Sequence, residues 1–547
     1  LRDDHRADPT ANAISRVGCA AVPNDESELK DRVALALEVL EELAGDLTKL
    51  AALDESLRIR VSKAAGELSR PDRYSRKALG KVLTRQKFRE RREADRHKLD
   101  QLGIRALRRE PVFRTPLPKP TFGALDAPVR DDDGDDIWAA AEARRAEPAK
   151  PATFPGEDVR VDNARMCYVC KREFHELHFF YDQMCPDCAA FNYAKREQTA
   201  DLRGRVALVT GARVKIGYQA AIMLLRAGAE VIVATRFPRD AARRFGREPD
   251  SAEWMQRLHV YGIDLRHTPS VEVLARHVLQ TQTRLDCIIN NACQTVRRPS
   301  GWYDHVVARE TEPSRTAFER VVLERNHLLS GGEAGLVGTS AIAATGLWKS
   351  AVLSQVPLLA DDLERGSQLY PEGRLDQDLQ QVDLRDFNTW RMTLAEVPTA
   401  ELLEVHLVNA VAPFVLNARL RPLLANVPTR DAHVVNVSAM EGQFYRRWKT
   451  DKHPHTNMAK AALNMMTRTS AADYVRDGIH MNSVDTGWVT DEDPAHHAAR
   501  KQAVHGFHPP LDIVDGAARI VDPLFDGVNT GNHAWGLFLK DYKPAPW

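Results

Sequence analysis

Arg205-Val206-Ala207-Leu208-Val209-Thr210 runs straight into Gly211-Ala212-Arg213-Val214-Lys215-Ile216-Gly217, and from Tyr218 to Arg226 the pattern turns helical. The first six residues form an apolar run closed by a turn, as expected of a strand buried on both faces. The helix that follows aims its N-terminus back at the glycine-bearing turn, which favours an anion there. Gly228 to Arg236 reads as a second strand. Strand and helix patterns go on alternating to the C-terminus. That alternation predicts an α/β fold, a doubly wound parallel sheet of the Rossmann type, over residues 198–547.

The turn resembles the TGxxxGxG motif of the short-chain dehydrogenase/reductase superfamily. Further features follow in the order that family shows. Asp264-Leu265 comes after the third strand, and Asn290-Asn291-Ala292-Cys293 looks like the family's NNAG turn. Asn409, Asn436-Val437-Ser438, Lys460 and Thr486-Gly487-Trp488 come later. The resemblance covers roughly 200–293 and 400–547. It implies a dinucleotide cofactor held by Thr210, Gly211, Arg213, Lys215, Ile216, Gly217, Thr235, Arg236, Asp264, Leu265, Asn291, Ala292, Lys460, Thr486 and Gly487. The second strand ends in Thr235-Arg236, where an acidic residue would select NAD(H) and an arginine accommodates the extra phosphate of NADP(H). NADP(H) is therefore expected, with NAD(H) as the alternative.

The resemblance implies hydride transfer to or from a carbonyl or alcohol, with a Ser, a Tyr and a Lys around the reacting atoms. The sequence departs from that set. Lys460 is present, but four residues earlier stands Thr456, and Ala439 occupies the serine position. An aliphatic hydroxyl is too weak an acid to replace a phenol directly. The catalytic candidates are Lys460, Asn409, Ser438, Thr456 and Tyr445, with His453 or His455 as further sources of a proton. The chain resembles a divergent, multidomain branch of the family that lacks the usual tyrosine. About 95 extra residues, near 297–392, separate the NNAG-like turn from the Asn409 helix, and include Trp302, Tyr303, Trp348 and Trp390. Their place at the carboxyl edge of the sheet suggests a lid, a substrate pocket or an oligomer contact.

Ahead of this domain, Cys167-Tyr168-Val169-Cys170 and Cys185-Pro186-Asp187-Cys188 form two CxxC knuckles. Four thiolates at this spacing can surround one tetrahedral Zn2+ and leave no open position, so the site is expected to be structural. A small zinc-binding module is assigned to 161–197. His175 and His178 between the knuckles read as packing residues.

Residues 1–26 read as a flexible tail and 111–160 as a proline-rich linker with one short helix near Trp138. Between them, 27–110 forms a helical, basic region, in which Leu29, Val33, Leu37, Leu40, Leu43 and Leu47 mark a helix face. From Arg58 to Glu110 there are 18 Lys/Arg against 7 Asp/Glu, although the whole chain balances at 76 each. Few aromatic residues interleave with these charges, which weighs against nucleic acid. No run reaches the length of a membrane helix, and no leader pattern opens the sequence. With seven cysteines in 547 residues, a reducing, cytoplasmic compartment is expected. The partner is then a small carbonyl or alcohol, or a protein, with a homo-oligomer formed through the helices of Asn409 and Lys460. The competing reading is a catalytically silent NADP(H) sensor or scaffold, with the zinc and helical modules as its partner surfaces.

Overall fold

The protein is described here by a computed structural model. It covers residues 25–117, 159–326, 347, 349–363, 366, 368–446, 449–506 and 508–547. The expected helix near Trp138, and Trp348, lie outside the described residues. The chain divides into two compact units, Leu1–Glu90 and Arg91–Trp547.

In the first unit, helices α1 (Asp25–Gly45) and α2 (Glu55–Ser69) precede α3 (Arg73–Asp100), which runs on into the second. Asp54 caps α2 by accepting from the amide of Leu57. The stripe of Leu29, Val33 and Leu37 is helical as its spacing demands, yet each residue is more than half exposed.

The second unit opens with α4 (Gly103–Arg109), a two-stranded antiparallel ribbon of β1 (Arg160–Met166) and β2 (Glu173–Glu176), and α5 (Pro186–Arg196). An eight-stranded sheet follows: β3 (Val206–Thr210), β4 (Glu230–Thr235), β5 (Leu258–Gly262), β6 (Cys287–Asn290), β7 (Ala432–Ser438), β8 (Ile479–Asp485), β9 (Phe538–Lys540) and β10 (Lys543–Ala545). Its order is β10-β9-β8-β7-β6-β3-β4-β5, parallel except for β10. Every residue of β3 and β7 is buried, as a strand covered on both faces requires. Strand order reverses between β3 and β6, and a crevice opens there at the carboxyl ends of the strands.

One core layer packs α6 (Lys215–Arg226) and the last long helix against one sheet face, with Ala220, Leu224, Val233, Ile289 and Ile520 at its centre. The other holds α7 (Thr268–Thr281) and α8 (Thr399–Ala425), through Leu274, Ile288, Leu416 and Leu420. By length and composition α8 is apolar enough to cross a membrane, but it buries Glu401, Glu404 and Asn409 against the domain. Between β6 and α8 the described residues add only short helices, among them Asp304–Glu310 and Ala317–Val322. Trp302, Tyr303 and Tyr370 from this stretch pack with Phe237, just beyond the end of β4.

The cysteine module is bolted to α9 (Ile513–Thr530) by buried charge. Arg196 at the end of α5 grips Asp512 through two bonds of 2.5 and 2.8 Å and reaches Asp515 at 3.0 Å. Asp512 caps α9 and Asp515 closes the capping box, so one guanidinium neutralises a helix start that carries two carboxylates. Such a cluster is costly to break from one side, because the partners stay buried and unpaired. Arg196→Ala is expected to destabilise the second unit by about 3–5 kcal/mol, read as a lower urea midpoint at unchanged slope.

Candidate functional site

The crevice at the strand reversal encloses 1010 Å³. Gly211 takes φ +69°, and a Cβ there would lie 2.7 Å from the Cα of Ala292. At Gly217 a Cβ would come 2.3 Å from Asn291 Nδ2. The two turns are also bonded together: Asn291 Nδ2 donates to the carbonyls of Thr210 (3.1 Å) and Gly211 (3.2 Å), and Ala292 N donates to Thr210 Oγ1 (3.0 Å). Lys215 stands where the motif carries its middle glycine, and it adopts the left-handed backbone with φ 55°. That conformation costs an L-residue about 1–2 kcal/mol. Burial alone would lower the Lys215 ammonium, but Glu492, Asp378 and Asp376 outweigh it and hold the group charged.

Most of the residues singled out in the sequence line this crevice. They are Gly211, Arg213, Lys215, Ile216, Gly217, Thr235, Arg236, Asp264, Leu265, Asn291, Ala292, Ser438, Lys460, Thr486 and Gly487. Thr210 lies behind the turn it braces. Arg236 rests its guanidinium 4.8 Å from the ring centre of Tyr303 and donates to that hydroxyl at 2.8 Å. Arg213 is buried and committed elsewhere, to Asp240 (2.6 Å) and Gln380 (2.6 Å). Asp264 is held by Arg266 at 2.7 Å.

The catalytic candidates scatter. Lys460 is buried with Nζ on the carbonyl of Val437 at 2.7 Å, and Ser438 Oγ is buried with no hydrogen-bond partner among the described residues. Thr456 is buried away from the crevice. Tyr445 is 47% exposed and, among the described residues, its hydroxyl meets only the sulfur of Met440, at 3.9 Å; it does not line the crevice. Asn409 lies in a π-helical turn of α8, Leu407–Val411, and holds Gln294 through bonds of 2.8 and 3.3 Å. His453 stacks flat on Trp390, with centroids 3.8 Å apart, and burial pushes its imidazole down to about 4. It is neutral at pH 7 and holds no proton to give. His455 is buried beside Glu401 at 3.5 Å.

Sequence reading missed a contribution from the cysteine module. Tyr168, between the first pair of cysteines, reaches the crevice with Lys171 and Lys540. Its hydroxyl accepts from Trp488 N at 3.1 Å. No local pattern announces this, because the contact spans 320 positions.

The four cysteines converge as their spacing requires, with one ligand atom from each within 4.8 Å of the others. Cys170 and Cys185 sulfurs stand 3.7 Å apart, close to the separation of about 3.8 Å set by tetrahedral Zn–S bonds. The side chain of Arg172 helps to hold the Cys170 thiol down at about 6, toward the thiolate a metal needs. Burial pushes His178 down to about 4 as it packs among Phe179, Tyr181 and Tyr193.

The short chain dehydrogenase family matches residues 205–316, and the family described as enoyl-(acyl carrier protein) reductase matches residues 387–508. The chain belongs to the short-chain dehydrogenase/reductase family. The chain is 30% identical over 397 residues to the uncharacterized protein R665 of Acanthamoeba polyphaga mimivirus, across 71% of this chain and 76% of that protein. It is 37% identical over 105 residues to dehydrogenase/reductase SDR family member 13 of Bos taurus, which covers 18% of this chain and 27% of the relative. Among solved structures, NADPH-bound carbonyl reductase from chicken fatty liver aligns with 63% of the chain and all of its own, at 17% identity and a TM-score of 0.38.

Two outcomes follow from this geometry. Chelation should strip amide-exchange protection from residues 159–197 while β3–β8 stay protected, because metal binding supplies the folding energy of so small a module. The folded value of His453 lies below its unfolded one, so its contribution to stability is complete above about pH 6.5 and is lost as pH falls toward about 4. His453→Gln should flatten that slope between urea melts at pH 7 and pH 5.

Proposed function

We propose that this protein is an NADP(H)-dependent oxidoreductase that reduces a carbonyl compound, or oxidises the matching alcohol. The reading rests on the crevice over the strand reversal, which gathers the glycine turn, Arg236, Ser438 and Lys460 in one space. Its volume suits a dinucleotide with a small substrate. Ser438 Oγ, buried and without a partner among the described residues, is available to a ligand oxygen. Arg236 directly follows β4, where an acidic residue would exclude a 2′-phosphate. Lys215 and the start of α6 face the pyrophosphate position, and Lys460 the nicotinamide ribose.

When bound, NADPH supplies the hydride that reaches the carbonyl carbon. The chain must then give a proton to the carbonyl oxygen. With Thr456 outside the crevice, we assign that proton to Tyr168. Burial raises its phenol above the ordinary value, so it stays protonated at pH 7. The ammonium groups of Lys171 and Lys540 lie 5.0 and 5.5 Å from its ring centre and would steady the phenolate left behind. Water returns the proton. Phe414, Met458 and Met465, exposed on α8 and on the helix Pro454–Tyr474, support a homo-oligomer contact on that face.

The second reading, a silent NADP(H) sensor, is favoured by Thr456 and Ala439, which stand where the family's reacting tyrosine and serine would be. Calorimetry with NADPH and NADH, followed by a carbonyl panel, separates the two. The enzyme reading expects preference for NADPH that Arg236→Ala weakens at least tenfold (about 1.4 kcal/mol) with NADH unaffected. It also expects turnover that Tyr168→Phe and Lys460→Ala abolish, Tyr168→Phe without loss of NADPH binding. Tight NADPH binding with no turnover on any carbonyl selects the sensor. Full turnover in Tyr168→Phe removes Tyr168 from the chemistry.

A further inference from the structure

Three imidazoles meet at the amino end of the sheet, on the edge opposite the crevice. His433 is the second residue of β7 and His480 the second of β8, and the parallel register pairs them directly. Register partners on adjacent strands lie about 4.8 Å apart and point to the same face. His533 arrives from the connection between α9 and β9. One ring nitrogen of each histidine lies within 4.8 Å of those of the other two. His433 is fully buried, while His480 and His533 are half-buried, so the cluster is reachable from solvent on one side.

Two of the inward nitrogens already meet, and the third ring has an outer support. His433 Nε2 and His533 Nδ1 face each other at 2.9 Å. His480 Nδ1 meets the carbonyl of Ala432 at 3.3 Å. With the proton on that nitrogen, the lone pair of Nε2 is left for an ion, and such a carbonyl contact is the usual outer support of a metal-bound imidazole. His433 Nδ1 is buried with no hydrogen-bond partner among the described residues. Gly527, inside α9, adds an independent sign. A Cβ there would stand 2.5 Å from His533 Nδ1 and 3.2 Å from His433 Nε2. Glycine inside a helix costs about 0.5–1 kcal/mol relative to alanine, and here it keeps the space between two nitrogens open.

We propose that His433, His480 and His533 form a second metal site, for a divalent transition ion of the zinc class, independent of the four cysteines and of the crevice. Imidazole nitrogens suit zinc and its neighbours, while calcium and magnesium need oxygen ligands. Zn–N bonds of about 2.0–2.1 Å in a tetrahedron set nitrogen separations of about 3.4 Å. The close His433–His533 pair therefore opens by about 0.5 Å and the rings draw round the ion. Water takes the fourth position from the open side. The ion would tie β7, β8 and the α9–β9 connection together at their amino ends.

The test uses the full chain, loaded with excess Zn2+, desalted and analysed for metal by mass spectrometry. Two equivalents per chain are expected, falling to one in His480→Gln and in His533→Gln, and to one in Cys170→Ser. One equivalent in the wild type overturns the proposal, as does a second equivalent that both histidine variants keep. An unchanged urea midpoint reports that the sheet of a histidine variant has folded. If a variant loses both, zinc-edge X-ray absorption on the wild type decides. A first shell mixing sulfur near 2.3 Å with nitrogen near 2.0 Å supports the site, and a shell of sulfur alone overturns it.

Discussion

The amide of Asn291 carries the fold's central constraint. Its nitrogen donates across the point where strand order reverses, to the carbonyls of Thr210 and Gly211. Two turns that come from strands on opposite sides of the reversal are thereby fixed against each other. The spacing is so tight that neither Gly211 nor Gly217 has room for a Cβ. With the turns locked, α6 starts in one place and aims its amides into one space, and the opposite walls of the crevice fall at the ends of β4, β7 and β8. A buried amide network continues the same logic inward, from Asn290 to Asn417 and Asn436 and on to Thr467.

Around that frame the additions are functional neighbours rather than ornaments. The cysteine module packs Phe174, Tyr181 and Met184 with Leu511 and Ile513, and puts Tyr168 at the crevice wall. The stretch between β6 and α8 covers the other end: Tyr303 stacks on Arg236, Gln380 takes Arg213, and Trp390 covers His453. Arg213 shows why a cation at the mouth of a nucleotide turn need not bind phosphate. Asp240 reaches it first and burial makes the pair exclusive.

Features set by short-range constraints were legible in the sequence. The β3 turn could be read because a glycine-dependent backbone leaves few substitutes, and the odd Lys215 marks the place where left-handed geometry is forced on a side chain. The cysteine knuckles could be read because ligand spacing is itself geometry. What depends on distant pieces of chain was not legible. Tyr168 sits in a knuckle whose sequence speaks only of metal, and its approach to Trp488 is decided by the docking of α9. The histidines of β7 and β8 look like ordinary strand residues until the register sets them side by side. Tyr445 was a candidate because it lies in the loop before the Lys460 helix, but its ring stands exposed and does not line the crevice.

The clasp between Arg196 and Asp512 joins residues 316 positions apart. During synthesis the module emerges long before its docking helix exists. At ribosomal rates of about 5–20 residues per second, the interval is roughly 15–60 s. For that time a guanidinium destined for burial, and the aromatic face around Phe180 and Tyr181, wait in water or on a chaperone. The order of translation thus sets a delay between the birth of the metal knuckle and the closure of the site it helps to wall. A chain released before residue 512 would carry β3 to β8 without α9, β9 and β10.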